Sequence, residues 1–140
     1  MELMARALDW IAALSVQWRA SMRTATVIET LGLGDVDWVD GDDGVLMLEL
    51  GPLLLQIEDS AALGLSVCIS ALSGSWPLAA LTERFGSPSI AVDFDTTATF
   101  GLRCIGDGRL LLIAGGTVST SGDSDDSIRW MTLSWRAEAG

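Results

Sequence analysis

The sequence predicts an α+β domain in which a twisted antiparallel sheet of about five strands carries three helices, in the order α-β-β-β-α-β-β-α. Three observations predict this fold. Apolar residues recur at helical spacing near the N-terminus. Apolar and polar residues alternate in the central segments, as in strands with one buried face. Glycine and proline turn signals separate these segments. At 140 residues, positions 1–140 are expected to form a single domain around one core.

The first predicted element is a helix over residues 2–31. Its apolar residues recur on two neighbouring faces: Met4, Leu8, Ile11, Trp10, Leu14 and Trp18. The pattern is compatible with a break near Ser21. Gly32 and Gly34 are expected to end the helix, because glycine readily adopts the left-handed conformation of a C-terminal cap.

Three strands are predicted next, over Val45–Leu50, Leu53–Glu58 and Gly64–Leu72. Gly51-Pro52 is a tight-turn signal between the first two. Glu49, Gln56 and Glu58 mark the outward face of the first two strands, and Gly64–Leu72 alternates apolar with polar side chains. This pattern is typical of an antiparallel sheet with one packed face and one solvent face.

The second half of the chain is predicted as a helix, two strands and a last helix. The helix covers Trp76–Phe85, and one long strand runs from Ser89 to Ile105. Gly106-Asp107-Gly108 then predicts a hairpin. The next strand, Arg109–Thr120, contains two adjacent glycines that indicate a bulge or a bend. Ser127–Ala137 is predicted as the last helix, because its apolar residues recur three and seven positions apart.

The composition is both acidic and apolar. The chain has 19 acidic and 8 basic residues, a net charge of −11 and a 49% hydrophobic content, and its mean hydropathy is +0.41. All of the basic residues are arginine, and histidine, lysine, asparagine and tyrosine are absent, which favours a GC-rich bacterial genome. Without histidine or lysine the usual general bases are missing, so we expect neither an enzyme nor a cofactor or metal site. The negative charge disfavours nucleic acid and anionic membranes as partners.

Other local patterns have weak functional meaning. The N-terminus lacks a signal-peptide pattern, and no apolar run reaches the ~18 residues of a membrane span, so a cytoplasmic location is expected. The acidic cluster Asp35–Asp43 does not match the spacing of a calcium-binding loop. Cys68 and Cys104 lie in strand patterns and are expected to be buried thiols rather than a disulfide.

Two acidic residues leave an enzyme as a minor alternative. Ile90–Thr97 resembles the nucleophile strand of haloacid-dehalogenase-type phosphatases, in which Asp93 and Asp95 would be the reacting carboxylates. That chemistry also requires a lysine, which this chain lacks. Two outward acids on a strand are therefore the favoured interpretation.

One group of residues is predicted to bind a partner. Val45, Met47 and Leu54 share the solvent face of the first two predicted strands with Glu49 and Glu58. Apolar side chains set among acids suit a basic segment of another protein. The distribution of charge agrees with this, because ten acidic residues and no basic residue lie between positions 23 and 84.

The chain resembles the class I type III secretion chaperones. The resemblance rests on size, acidity, the lack of catalytic residues, the predicted element order and especially the paired strands of Gly44–Asp59. It covers nearly the whole chain. It implies an ATP-independent chaperone that binds the N-terminal segment of a secreted effector protein and keeps that protein soluble and competent for secretion.

The same resemblance implies a homodimer that forms through the middle helix. By position, the dimer contact would then include Trp76, Leu78, Leu81 and Phe85. Two other functions remain open at this point. They are a small-molecule or lipid-binding α+β domain and another kind of protein-binding adaptor.

Overall fold

The computed structural model describes residues 2–19, 22–41, 44–60, 64–92, 95–121 and 125–137. These residues contain three helices and nine strands. The helices are α1 (Glu2–Gln17), α2 (Thr24–Leu31) and α3 (Leu78–Phe85). The strands are β1 (Val39–Asp40), β2 (Val45–Leu50), β3 (Leu53–Ser60), β4 (Gly64–Ala71), β5 (Trp76–Pro77), β6 (Ser89–Val92), β7 (Thr96–Ile105), β8 (Gly108–Thr117) and β9 (Ser127–Ala137).

The strands form one antiparallel sheet in the order β1-β2-β3-β4-β9-β8-β7-β6, with β5 paired to β9. The sheet consists of two meanders, β1 to β4 and β6 to β9, which meet where β4 pairs with β9. Helix α3 carries the chain from the centre of the sheet to its far edge. The predicted α+β class is therefore confirmed, whereas the prediction of about five strands and their order is not.

All three described helices pack on one face of the sheet and share a single core with it. The indole Nε1 of Trp76 donates to the carbonyl of Met4, at 2.7 Å, and fixes the start of α1. At the other end of α1, the Arg103 guanidinium donates to the carbonyls of Ser15 and Val16 at 2.9 and 2.6 Å. Arg103 therefore satisfies carbonyl groups that a helix leaves without intrahelical partners at its C-terminus.

The N-terminal helical region is divided into two helices. Helix α1 ends at Gln17 and α2 begins at Thr24, so the break occurs where the sequence pattern allowed one, although Ser21 itself lies outside the described residues. The Thr24 hydroxyl donates to the Asp59 carboxylate of β3, and this ties the start of α2 to the sheet. Gly32 ends α2 with a φ of +71°, as the cap signal predicted.

The predicted helix Trp76–Phe85 begins two residues later than expected. Trp76 and Pro77 pair instead with Ile128 and Ser127 of β9. Helix α3 then starts at Leu78, whose amide donates to the carbonyl of Asp126 at 2.8 Å. Pairing with β9 gives Trp76 a buried position, and this outweighs the helical spacing of its sequence.

The predicted strand Ser89–Ile105 is wrong, because the segment folds into the hairpin β6–β7 with Val92 opposite Thr96. An unbroken strand of that length would extend about 55 Å at ~3.3 Å per residue. That is far longer than its neighbour β8, so much of its backbone would have no pairing partner. Asp93 and Phe94, which the prediction placed within this strand, lie outside the described residues.

The predicted last helix, Ser127–Ala137, is also wrong, because this segment is β9, a central strand between β4 and β8. The pairing of β8 with β9 shifts register between Gly115 and Gly116, where the sequence predicted a bulge or a bend. The extra residue is Arg129 on β9, so the bulge belongs to β9, and Ile128 and Met131 both reach the core although they are three positions apart. The bulge therefore imitates a helical period.

Candidate partner-binding surface

The face of the sheet opposite the helices, called the open face here, carries three continuous rows of side chains. Because directly paired residues in an antiparallel sheet share a face, the pairing register defines these rows. The first row is Val45, Glu58, Ser66, Ser134, Leu111 and Gly101. The second row is Met47, Gln56, Cys68, Thr132, Ile113 and Thr99. The third row is Glu49, Leu54, Ser70, Trp130, Gly115 and Thr97.

Burial separates the open face clearly from the core face. Apart from Gly115, every residue of the three rows is half-buried or exposed. Their neighbours along the same strands, such as Leu55, Val67 and Leu133, are fully buried. The sheet thus keeps one packed face and one face on which no described helix lies.

The five residues predicted to bind a partner lie together on the open face. Val45 pairs with Glu58, and Glu49 pairs with Leu54, while Met47 lies between Val45 and Glu49 on β2. We call these five residues the acidic–apolar strip. The five residues therefore share one face of the sheet, as predicted, whereas their role in binding remains a prediction.

A trough of small polar side chains runs beside the strip along β4 and β9. Its members are Ser66, Cys68, Ser70, Thr132 and Ser134. On the far side of the trough the apolar side chains of β8 project from the same face. The Ser134 hydroxyl is buried and has no hydrogen-bond partner in the described part of the protein. The sequence did not reveal the whole trough, because two of its five residues, Thr132 and Ser134, belong to the strand that was predicted as a helix.

Glycines allow large side chains to lie flat on the C-terminal half of the open face. A Cβ atom placed on Gly115 would lie 2.5 Å from Cζ2 of Trp130, so the indole ring covers this glycine. A Cβ atom on Gly101 would lie 2.5 Å from Nη2 of Arg109. Both contacts are too close for any larger residue unless the neighbour shifts.

Charge differs between the two ends of the open face. Glu49 and Glu58 lie on β2 and β3, towards the β1 edge of the sheet. Arg109 and Arg136 are paired with each other on β8 and β9. A charged partner segment is therefore attracted to one half of this face and repelled by the other.

The residues predicted for the dimer contact lie in the core of a single protomer. Trp76, Leu78 and Leu81 are 2%, 1% and 0% exposed. Phe85 is half-buried and packs edge-on against Phe100, with ring centroids 6.2 Å apart. Trp76, Leu78 and Leu81 therefore offer almost nothing for a second copy to contact, whereas Phe85 keeps part of its area at the surface. The predicted dimer thus remains a prediction, and these side chains serve the protomer's own core.

The other candidate residues form no site within the described residues. Asp95 is exposed, and Asp93 lies outside the described residues. No group of three or more Cys, Asp and Glu side chains there is arranged to hold a metal ion, although part of the acidic cluster, Asp42 and Asp43, is not described. Both cysteines are free thiols, but Cys68 is only half-buried and Cys104 is exposed, so the prediction of buried thiols is wrong.

The helix side of the molecule has an open groove of about 290 Å³. It lies between the C-terminal halves of α1 and α3 and strand β7, and its lining residues are Ala12, Ser15, Val16, Arg84, Phe85 and Leu102. Its one charged group, Arg84, forms an ion pair with Asp9 at 2.5 Å. The volume is slightly below the ~300 Å³ at which small-molecule sites usually begin.

No protein-family model, curated protein or solved structure matches the chain. The described helices are all too short or too polar to cross a lipid bilayer.

Proposed function

We propose that this domain is an ATP-independent, homodimeric chaperone that acts in the cytoplasm and binds the N-terminal segment of a secreted effector protein. The observation that carries the proposal is the acidic–apolar strip, which occupies a sheet face that no described helix covers. The bound segment is extended, partly apolar and basic, and it stays soluble while it is held.

The two kinds of side chain in the strip have separate roles. Val45, Met47 and Leu54 are half-buried, so each has apolar area left for a partner to cover. Covering apolar area stabilises a complex by about 25 cal/mol per Å² before the costs of association. Glu49 and Glu58 attract basic segments over a longer range and raise the association rate.

The overall charge supports the choice of a basic partner. At a net charge of −11, the chain repels acidic polypeptides and attracts basic ones. The same charge keeps a protein with exposed apolar residues from associating with itself through those residues. A holding chaperone requires both properties.

Two synthetic peptides test the proposed recognition. They are disordered and share their apolar residues, but one carries Lys and Arg where the other carries Asp and Glu. We expect only the basic peptide to bind, with a Kd that rises with salt because screening weakens the attraction. Fluorescence anisotropy of labelled peptides measures both affinities. Equal affinity for the two peptides, or none for either, would contradict the proposal.

Matched variants locate the binding surface. Leu54→Ser removes apolar area from the strip, and Leu111→Ser removes the same side chain from the other half of the open face. Leu54→Ser is expected to weaken binding of the basic peptide about tenfold, since losing a partly covered leucine costs about 1–2 kcal/mol. Leu111→Ser should leave the Kd within about twofold of the original. The reverse result would place binding on the other half.

The holding activity is a separate measurement. The basic peptide is fused to the N-terminus of an aggregation-prone reporter, and turbidity is followed without ATP. An equimolar amount of the domain is expected to suppress aggregation of this fusion but not of the reporter alone. Suppression that required ATP, or that ignored the peptide, would overturn the chaperone assignment.

A further inference from the structure

The two edges of the sheet differ in length and in charge. The edge strand β1 is only two residues long, Val39–Asp40, and the exposed acid Asp37 precedes it. The opposite edge strand β6 has four residues, Ser89–Val92, and no charge among them. Within the described residues β6 pairs only with β7, so its other side has backbone groups without strand partners.

Strand β6 lacks the features by which proteins usually protect an edge strand. Short length, charged side chains, proline and bulges are the common protections, and β1 has two of them. Inside β6 there is no charged residue and no proline, and its pairing with β7 is regular over all four residues. Val92 is 62% exposed, and Ser89 and Ala91 are exposed as well. Such an edge is suited to pairing with another strand.

We propose that the β6 edge pairs with β6 of a second copy of this chain and continues the sheet across a two-fold axis. The inference rests on the homodimer of the proposed function, but it assigns the contact to β6 rather than to the buried side chains of α3.

Charge directs a basic segment to the acidic–apolar strip and makes the uncharged β6 edge the place where a second copy is repelled least. Two copies each carry a net charge of −11, so they approach with least repulsion where the contact strand has no charge. A basic segment finds no acidic side chain within β6 itself, whereas Glu49 and Glu58 of the acidic–apolar strip attract it near the opposite edge. The two partners are therefore assigned to different places on one sheet.

Symmetry fits the same arrangement. Antiparallel pairing of a strand with its own copy is self-complementary, which is the requirement of a two-fold interface. Two-fold symmetry requires one residue of the strand to lie opposite its own copy. In the register centred on Ala91, Ile90 lies opposite Val92 of the second copy, and the two Ala91 side chains lie directly opposite each other on one face at the axis.

The test is the mass of the full chain in solution by light scattering, with Ala91→Glu compared with Val39→Glu. We expect the unmodified chain to have twice the 14.8 kDa monomer mass. Ala91→Glu brings two like charges together at the axis and is expected to halve the mass. Val39→Glu adds the same charge at the other edge, where Val39 is 62% exposed, and should leave the dimer intact.

Hydrogen exchange provides a second measurement that does not depend on a variant. In the dimer, β6 amides are expected to be protected at high protein concentration and to lose protection on dilution. Circular dichroism and the basic-peptide assay confirm that Ala91→Glu remains folded and active. Peptide binding by this monomer would show that recognition and dimerisation are independent.

Three results would overturn the inference. They are a monomeric unmodified chain, a dimer that survives Ala91→Glu, and β6 amides whose exchange is independent of concentration. If the dimer survived Ala91→Glu but dissociated on Ala79→Glu, which alters the exposed surface of α3, the contact would lie on that helix. The proposed chaperone function would then stand without the β6 contact.

Discussion

The two meanders of the sheet were predicted from sequence with very different success. In the N-terminal meander, β2, β3 and β4 pair without interruption, and their alternating residues predicted both the strands and their faces. In the C-terminal meander, β7 and β9 each contain a register shift, and the prediction joined β6 and β7 into one strand and assigned β9 to a helix. Alternation is thus a reliable signal only while the ladder stays regular, because one bulge exchanges the two faces of a strand.

The largest expected effects test whether the two meanders are one folding unit. Leu55 lies in the N-terminal meander and Leu112 in the C-terminal one, and both are 0% exposed. Leu55→Ala and Leu112→Ala are each expected to lower the free energy of unfolding by about 2–5 kcal/mol, since each leaves a cavity. Chemical denaturation followed by circular dichroism and tryptophan fluorescence measures this. Two separate transitions in either variant would show that each half has a core of its own.

A medium effect on stability is expected at Gly115, which lies in the C-terminal meander, where the strand pairing is irregular. Gly115→Ala places a methyl group against the Trp130 ring and should cost about 1–3 kcal/mol of stability. Gly101→Ala is the matched control, because the atom it meets is the far end of the long Arg109 side chain, which can shift at lower cost than an indole ring. Thermal unfolding of both variants gives the comparison. In a Trp130→Ala background the cost of Gly115→Ala should nearly disappear, and an unchanged cost would show that the ring is not the cause.

The smallest effects on stability are expected for two arginines, Arg23 from the N-terminal half of the chain and Arg103 from the C-terminal half. Arg103→Gln removes two hydrogen bonds to the end of α1 and is expected to cost about 0.5–1.5 kcal/mol. Arg23→Gln removes an ion pair to Asp59 at 3.5 Å, and the Arg23 side chain is 77% exposed. Exposed pairs of this kind contribute little, so a loss of less than about 0.5 kcal/mol is expected. A larger loss for Arg23→Gln, measured by urea denaturation, would contradict this ranking.

The candidate surface was predictable only in part, because one of its strands, β9, has irregular pairing that hides its alternation. Val45, Met47 and Leu54 could be placed beside Glu49 and Glu58 because they lie in the regular strands. Thr132, Ser134 and Trp130 could not be placed on this face, since their strand, β9, shows a three-residue apolar spacing that imitates a helix. A possible signal was present in the sequence: Thr132 and Ser134 alternate with Met131 and Leu133, as strand residues do.

The dimer residues show a second limit of sequence reasoning. Leu78 and Leu81 form an apolar stripe on α3, and such a stripe fits a protomer core and a dimer contact equally well. Only the position of α3 over the sheet decides that these leucines face inward. The sequence likewise does not show which strand lies at an edge, so the uncharged edge of β6 is visible only in the assembled sheet.

The sequence by itself determined the α+β class, the regular strands β2 to β4, the turns at Gly51-Pro52 and Gly106-Asp107, and the acidic character of the chain. These features follow from residues that are close together in the sequence, or from the composition, and they need no long-range contact. The tertiary structure alone decided that Ser127–Ala137 is the central strand β9 and that the helices cover a single face. The physical reason is that β4 and β8 both require a pairing partner. Hydrogen bonds from both sides of β9 outweigh its local spacing.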